Sequence, residues 1–210
     1  MSITIRLLDS PAQIEKNINI AIAEHINGII TREQNRILNR IKALIPSWIE
    51  SQPEIVSLRS SSPLSLVGQF GISGDSNAIV SSIIGAIVDA TSIKFIKYSA
   101  NLRGGLELQF QPATFGNLLG LSAGHTVFQG GDLHWLDWLL LRGDNIIITN
   151  YQYNPATGLG RSGLGNMIGG GAFRVPPEFA GTKDDNFITR AFLNPEVETQ
   201  LSDVLSRVFV

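Results

Sequence analysis

Several groups of residues in this 210-residue chain have types and spacings that chemistry could use. Gly158 to Gly163 reads GLGRSG, a match to G-x-G-x-x-G. In a dinucleotide site those glycines let the backbone approach a pyrophosphate, and the loop must leave a strand directly and open a helix. Here Gln152 to Thr157, with a proline, separates the loop from the strand core, and more glycines and Val175-Pro176-Pro177 follow it. No cofactor is expected, and a flexible loop over 154–172 is. Ser162 fails the G-x-S-x-G pattern of a nucleophile elbow, because position 164 is leucine. His25, one of three histidines, falls on an apolar helical stripe and is expected to be packed.

His134, Asp132 and Asp137 are metal-ligating types, but two ligands from one short helix do not make a site. Asp132 is read as the cap of that helix and Asp137 as solvated, so no metal is expected. Glu178, Asp184 and Asp185 are carboxylates of the kind glycosidases pair, yet aspartates just before an apolar helical run are usually caps. No catalytic residue is assigned. Arg32, Arg36 and Arg40 share one helix face at four-residue steps. This basic stripe is either a solvated face or a contact for DNA phosphates or an acidic partner. Arg142-Gly143-Asp144 is read as a turn.

The elements that must position these residues follow from periodicity. Ser10-Pro11 is a helix start. Ile14, Ile18, Ala21, Ile22, His25, Ile26 and Ile29, then Ile37, Leu38, Ile41, Leu44, Ile45 and Trp48, recur at helical spacing over 10–51, with Pro46 as a kink or a new start. Asp75 is expected to cap a helix over 76–91. Residues 92–99 and 106–110 read as a hairpin, and 146–153 as a strand whose start, IIIT, suits burial on both faces. Residues 133–143 read as a short helix anchored by Trp135, Trp138, Leu139 and Leu141. Phe173 to Val175 reads as a short strand ending at Pro176. Asp184 or Asp185 is expected to cap a helix through Phe192, and a last helix starts near Pro195. Helices first, antiparallel strands in the middle and helices last predict an α+β fold. Long N-terminal helices would pack on a central antiparallel sheet, with a glycine-rich loop and C-terminal helices, in a single domain over 1–210.

Composition bounds the function. Charged residues make up 16%, against about 25% in an average soluble domain. A surface this poor in charge suits burial against partners, or is simply uncharged and polar. The formal net charge of -2 lacks the basic excess of a dedicated nucleic-acid binder. There is no cysteine, hence no disulfide and no thiolate ligand, which fits synthesis in the cytoplasm. The start, MSITIRLLDSPAQ, lacks the apolar stretch of a secretory leader. The longest apolar run, residues 79–88, is short of the roughly 18 residues a membrane span needs. A soluble chain is expected.

A resemblance adds to this. The run SGLGNMIGGGAFRVPPEFAGTKDDNFITRAF, 162–192, resembles the end of neck and tail-completion structural proteins of long-tailed bacteriophages. SWIESQPEIVSL (47–58) with LVGQFGI (66–72), and DWLLLRGDNIIITNY (137–151), resemble the same proteins in the same order. The resemblance implies a long N-terminal helix on an antiparallel sheet, a flexible loop, and a C-terminal helix after a proline turn. The helix at 76–91 and the insertion at 113–142 depart from the smallest members, which leaves open adaptor, head-closure ring or tail terminator. It implies a non-catalytic homo-oligomeric ring subunit in the virion neck, in six or twelve copies, with portal, neck or tail proteins as neighbours. Contact with packaged DNA is compatible with it; no membrane is involved. The candidate interface residues are Arg161, Leu164, Met167, Phe173, Val175 and Phe179, the last three being alternatively ordinary core. A DNA-contacting or accessory assembly factor and an enzyme are the rival readings.

Overall fold

A computed structural model describes residues 8–128, 130–158 and 160–208. The fold is α+β, as the segregated order predicts. The antiparallel pairing is shared among three two-stranded sheets rather than gathered into one. The chain forms two compact units. One comprises Met1–Ile41, Ser92–Gln109 and Leu201–Val210; the other comprises Lys42–Thr91 and Phe110–Gln200.

Helix α1 runs Pro11–Glu50. Ser10 Oγ accepts from the Gln13 amide at 3.2 Å, satisfying one orphan donor of the first turn. Pro46 lies inside α1 and does not end it. Ala23, Ile30, Ile37, Ile41, Ile45 and Ile49 are buried along one row. The first half of the expected stripe is not that row. Ile18 and Ile22 are 53% and 41% exposed, and His25 is exposed rather than packed. A long helix presents more apolar surface than one buried stripe takes up.

In the first unit, β1 (Ser92–Ile96) pairs antiparallel with β2 (Gly105–Gln109), from Ser92↔Gln109 to Ile96↔Gly105. The predicted hairpin is therefore present. The Asn27 side chain of α1 meets the backbone of Tyr98 twice. Nδ2 donates to the Tyr98 carbonyl at 3.0 Å, and the Tyr98 amide donates to Oδ1 at 2.8 Å.

The second unit holds a larger core. Helices α2 (Pro53–Arg59), α3 (Leu66–Gln69) and α4 (Ser76–Ala90) bury Ile55, Leu58, Leu66, Val80, Ile83 and Ile87. Asp75 caps α4 as expected, accepting from the Asn77 amide at 2.9 Å. Helix α5 (Gly116–Leu119) and a single 3-10 turn, Ser122–Gly124, lead to β3 (Thr126–Phe128) and β4 (Gly131–Leu133). Asp132 therefore lies in a strand. The helix it was expected to cap starts later, as α6 (Trp135–Asp137), and continues as a π turn over Trp138–Arg142. Trp135, Leu136, Leu139 and Leu140 are its buried residues; Trp138 and Leu141 are only half-buried. Trp135 stacks on Phe70 at 5.7 Å, and Phe70 meets Phe173 edge-on at 6.5 Å.

Strands β5 (Ile146–Asn154) and β6 (Asn166–Arg174) follow. Ile146 is 46% exposed, so the start of β5 is not buried on both faces: its one strand partner is β6. Helix α7 (Phe187–Phe192) is capped by Asn186, not by Asp184 or Asp185. Asn186 Oδ1 accepts from the Ile188 and Thr189 amides, and Thr189 Oγ1 accepts from the Asn186 amide, a reciprocal capping box. Helix α8, Pro195–Ser206, ends the described elements.

Candidate functional site

The β5–β6 ribbon is the most distinctive surface of the second unit. Its strands have nine residues each and pair only with one another. The register runs from Ile146↔Arg174 to Asn154↔Asn166 and shifts twice, between Ile146 and Ile148 and between Thr149 and Tyr151. At the second shift Asn150 has φ +64 and faces a backbone whose Gly170 and Gly171 have φ +99 and +74. Such irregularities bend and twist a ribbon and free backbone groups from the ladder. Thr149 to Gln152 and Gly169 to Gly171 are exposed.

The ribbon includes much of the segment expected to be a flexible loop. Residues 166–172 belong to strand β6, and the turn before them is tied down. The Tyr153 hydroxyl donates to the Pro63 carbonyl at 2.6 Å and accepts from the Gly165 amide at 2.9 Å. The Gly160 amide donates to the Gly165 carbonyl at 2.9 Å. Arg161 donates to the Val127 carbonyl and lies over the Phe128 ring, 5.4 Å from its centroid. No helix follows GLGRSG, so no helix N-terminus faces a phosphate there; Leu159 of the motif lies outside the described residues. Beneath the turn is a cleft of ≈ 230 Å³ lined by Phe70, Phe128, Ile148, Arg161 and Met167 among others. That is below the about 300–1,000 Å³ of sites that enclose a small molecule.

The candidate interface residues divide accordingly. Arg161 is exposed, and Leu164, Met167 and Phe179 are half-buried. Phe173 and Val175 are buried in the chain's own core and offer no surface to a partner. Arg32 and Arg36 are exposed and Arg40 half-buried on α1. Arg36 is engaged by Glu33 at 3.3 Å, an exposed pair of small energetic value.

Two clusters of ionisable side chains were not visible in the sequence. The first joins His125, just before β3, to Asp132 and His134. His125 Nδ1 lies 2.9 and 2.8 Å from the two Asp132 carboxylate oxygens, and His134 Nε2 lies 3.4 Å from Oδ2. Asp137, grouped with them by sequence, instead faces Arg142 at 3.8 Å. The cue was the Gly130-Gly131 pair between Thr126-Val127-Phe128 and Asp132-Leu133, a short hairpin signal.

The second cluster is Glu54, fully buried in the first turn of α2 and bonded to Arg190 of α7. Burial pushes its carboxyl above the ordinary value. Its own backbone amide and Arg190 pull it partly back, and the charge of Asp185 adds to the rise. Asp185 bonds the other side of the same guanidinium at 2.6 Å, which is its role in place of capping. No family model, curated protein or solved structure matches the chain. Among the described residues no helix is long and apolar enough to cross a membrane.

Proposed function

We propose that this chain is a non-catalytic structural subunit of a bacteriophage neck, joining copies of itself into a ring of six or twelve at the head-to-tail junction. The observation that carries this reading is the β5–β6 ribbon. An isolated two-stranded ribbon is marginal in water, and its outer edges present unpaired backbone donors and acceptors on which another chain can add a strand. The tied turn holds this ribbon ready-made, so little ordering entropy is lost on contact. Ile18, Ile22, Val127 and Tyr151 supply exposed apolar area in a chain of low charge. A ring contact is heterologous and needs two different faces on each subunit; the exposed middle of the ribbon is proposed as one of them. The C-terminal run at 162–192, on which the phage resemblance rests, encodes β6 and α7.

The test is peptide quantification by mass spectrometry on purified particles of the source phage, with the portal protein as internal standard. One copy per portal subunit, or one per two, is the expected result. Abundant chain in the lysate with none in the particles overturns the proposal and returns the enzyme and assembly-factor readings.

A further inference from the structure

The β3–β4 ribbon carries a side-chain cluster that ring assembly does not require. Its pairing runs Thr126↔Leu133, Val127↔Asp132 and Phe128↔Gly131. One step outward the same register sets His125 opposite His134. Side chains alternate between faces along a strand, so His125, His134, Val127 and Asp132 occupy the four corners of one cross-strand quartet. Three of those corners carry metal-ligating groups, and the ligand atoms of all three lie within 4.8 Å of one another.

The distances suit a metal ion. Ligand bonds of about 2.0–2.2 Å to zinc place neighbouring ligand atoms roughly 3–3.5 Å apart. The His134-to-Asp132 separation, 3.4 Å, falls within that spacing, and the His125-to-Asp132 separation, 2.8 Å, is just short of it. The imidazoles stack nearly parallel, 4.9 Å between centroids at 7°, and each has one nitrogen within 3.4 Å of an Asp132 carboxylate oxygen. All three side chains are partly exposed, at 26%, 37% and 53%, and an ion can reach them from solvent. Among the described residues they are the only such group of three.

We infer that His125, Asp132 and His134 form a site for a divalent transition-metal ion. Two imidazole nitrogens and one carboxylate select zinc or a similar borderline ion over magnesium and calcium, which prefer all-oxygen shells. The fourth position is left to water. An ion held there cross-links two strands of only three residues each, too short a hairpin to hold itself. The site is independent of the proposed ring.

The experiment is a titration of the tag-free full chain with zinc chloride by calorimetry, paralleled by cobalt(II) uptake read in the visible spectrum. One ion per chain is expected. Asp132→Asn and His134→Ala should each weaken binding at least about tenfold. His25→Ala, which removes the one histidine outside the cluster, should leave it unchanged. Val127→His places a ligand at the fourth corner and should tighten binding by about tenfold or more; a misfolded variant cannot produce that gain. Absence of saturable uptake by the unaltered chain, or uptake that persists in the His125→Ala/His134→Ala double variant, overturns the inference.

Discussion

Arg190 of α7 closes on one oxygen of the buried Glu54 carboxylate, while the other oxygen, Oε2, meets no hydrogen-bond partner among the described residues. The pairing is incomplete, and desolvation wins over the attraction: the carboxyl sits above its ordinary value of 4.5. The folded state therefore holds a proton that the unfolded chain has already released. Stability contributed by this group is complete below 4.5 and is lost as pH rises through the higher folded value. Glu54→Gln keeps an acceptor for Arg190 and carries no charge. Its melting temperature relative to the unaltered chain should therefore be more favourable at pH 8 than at pH 4. Arg190→Ala should cost about 2 kcal/mol at pH 8, less than the about 3–5 kcal/mol of a fully buried pair because Arg190 is partly exposed. It should cost less at pH 4, where a neutral Glu54 needs no counter-ion. Chemical denaturation at the two pH values measures both; equal costs would refute the assignment.

Tyr153 ties the turn of the long ribbon to the segment before α3, and two glycines make room for it. A Cβ on Gly68 or on Gly165 would stand 2.4 Å from the Tyr153 hydroxyl, and on Gly165 also 2.6 Å from the Asn154 carbonyl. Gly165→Ala should accordingly cost about 2–3 kcal/mol through overpacking. Tyr153→Phe removes two hydrogen bonds and should cost about 1–2 kcal/mol. Hydrogen exchange should show the Gly165 amide losing protection in Tyr153→Phe while α4 amides keep theirs. Protection lost evenly across the chain would mean that the hydroxyl has no local role.

In the other unit the Asn27 amide pairs with Tyr98 as a strand neighbour would, donating and accepting at once. Asn27→Asp keeps the acceptor but sets a carboxylate oxygen against the Tyr98 carbonyl. It should cost more than Asn27→Ala, which should itself cost about 1–2 kcal/mol. Thermal melts of the two variants decide the order, and the reverse ranking would show that only the accepted hydrogen bond matters.

Local signals explain which elements were legible. The bounds of α1, the Asp75 cap, the 92–109 hairpin and the two C-terminal helices rest on caps and periodicity within a few residues, and the sequence states them directly. The end of β6, Phe173-Arg174, was read as strand, but Asn166 to Ala172 was read as loop because NMIGGGA has three glycines and no alternation; it becomes strand through pairing with β5, a tertiary effect that overrides propensity. Asn186 outranked its two aspartate neighbours because Thr189 three residues on completes a capping box, which neither Asp184 nor Asp185 has. No local signal singles out Glu54, since its partner lies 136 residues away. The histidine cluster was hidden because grouping by proximity in sequence selected Asp137, whereas strand register selects His125.

The exposed middle of the ribbon separates folding from assembly. Tyr151 is 50% exposed and sits beside the Thr149/Tyr151 register shift, where bulged backbone leaves the ladder. Tyr151→Asp adds a charge to a surface that would be desolvated between subunits, and an unpaired buried charge is costly. In the isolated chain the side chain stays in solvent, so its stability should change by no more than about 0.5 kcal/mol. In the ring the same substitution should abolish assembly. Native mass spectrometry of the purified chain should then show higher-order species for the unaltered protein and only the single chain for the variant, with matching melting curves. Rings that persist with Tyr151→Asp would move the contact away from the ribbon. Loss of the fold would instead place Tyr151 in the core, contrary to its exposure.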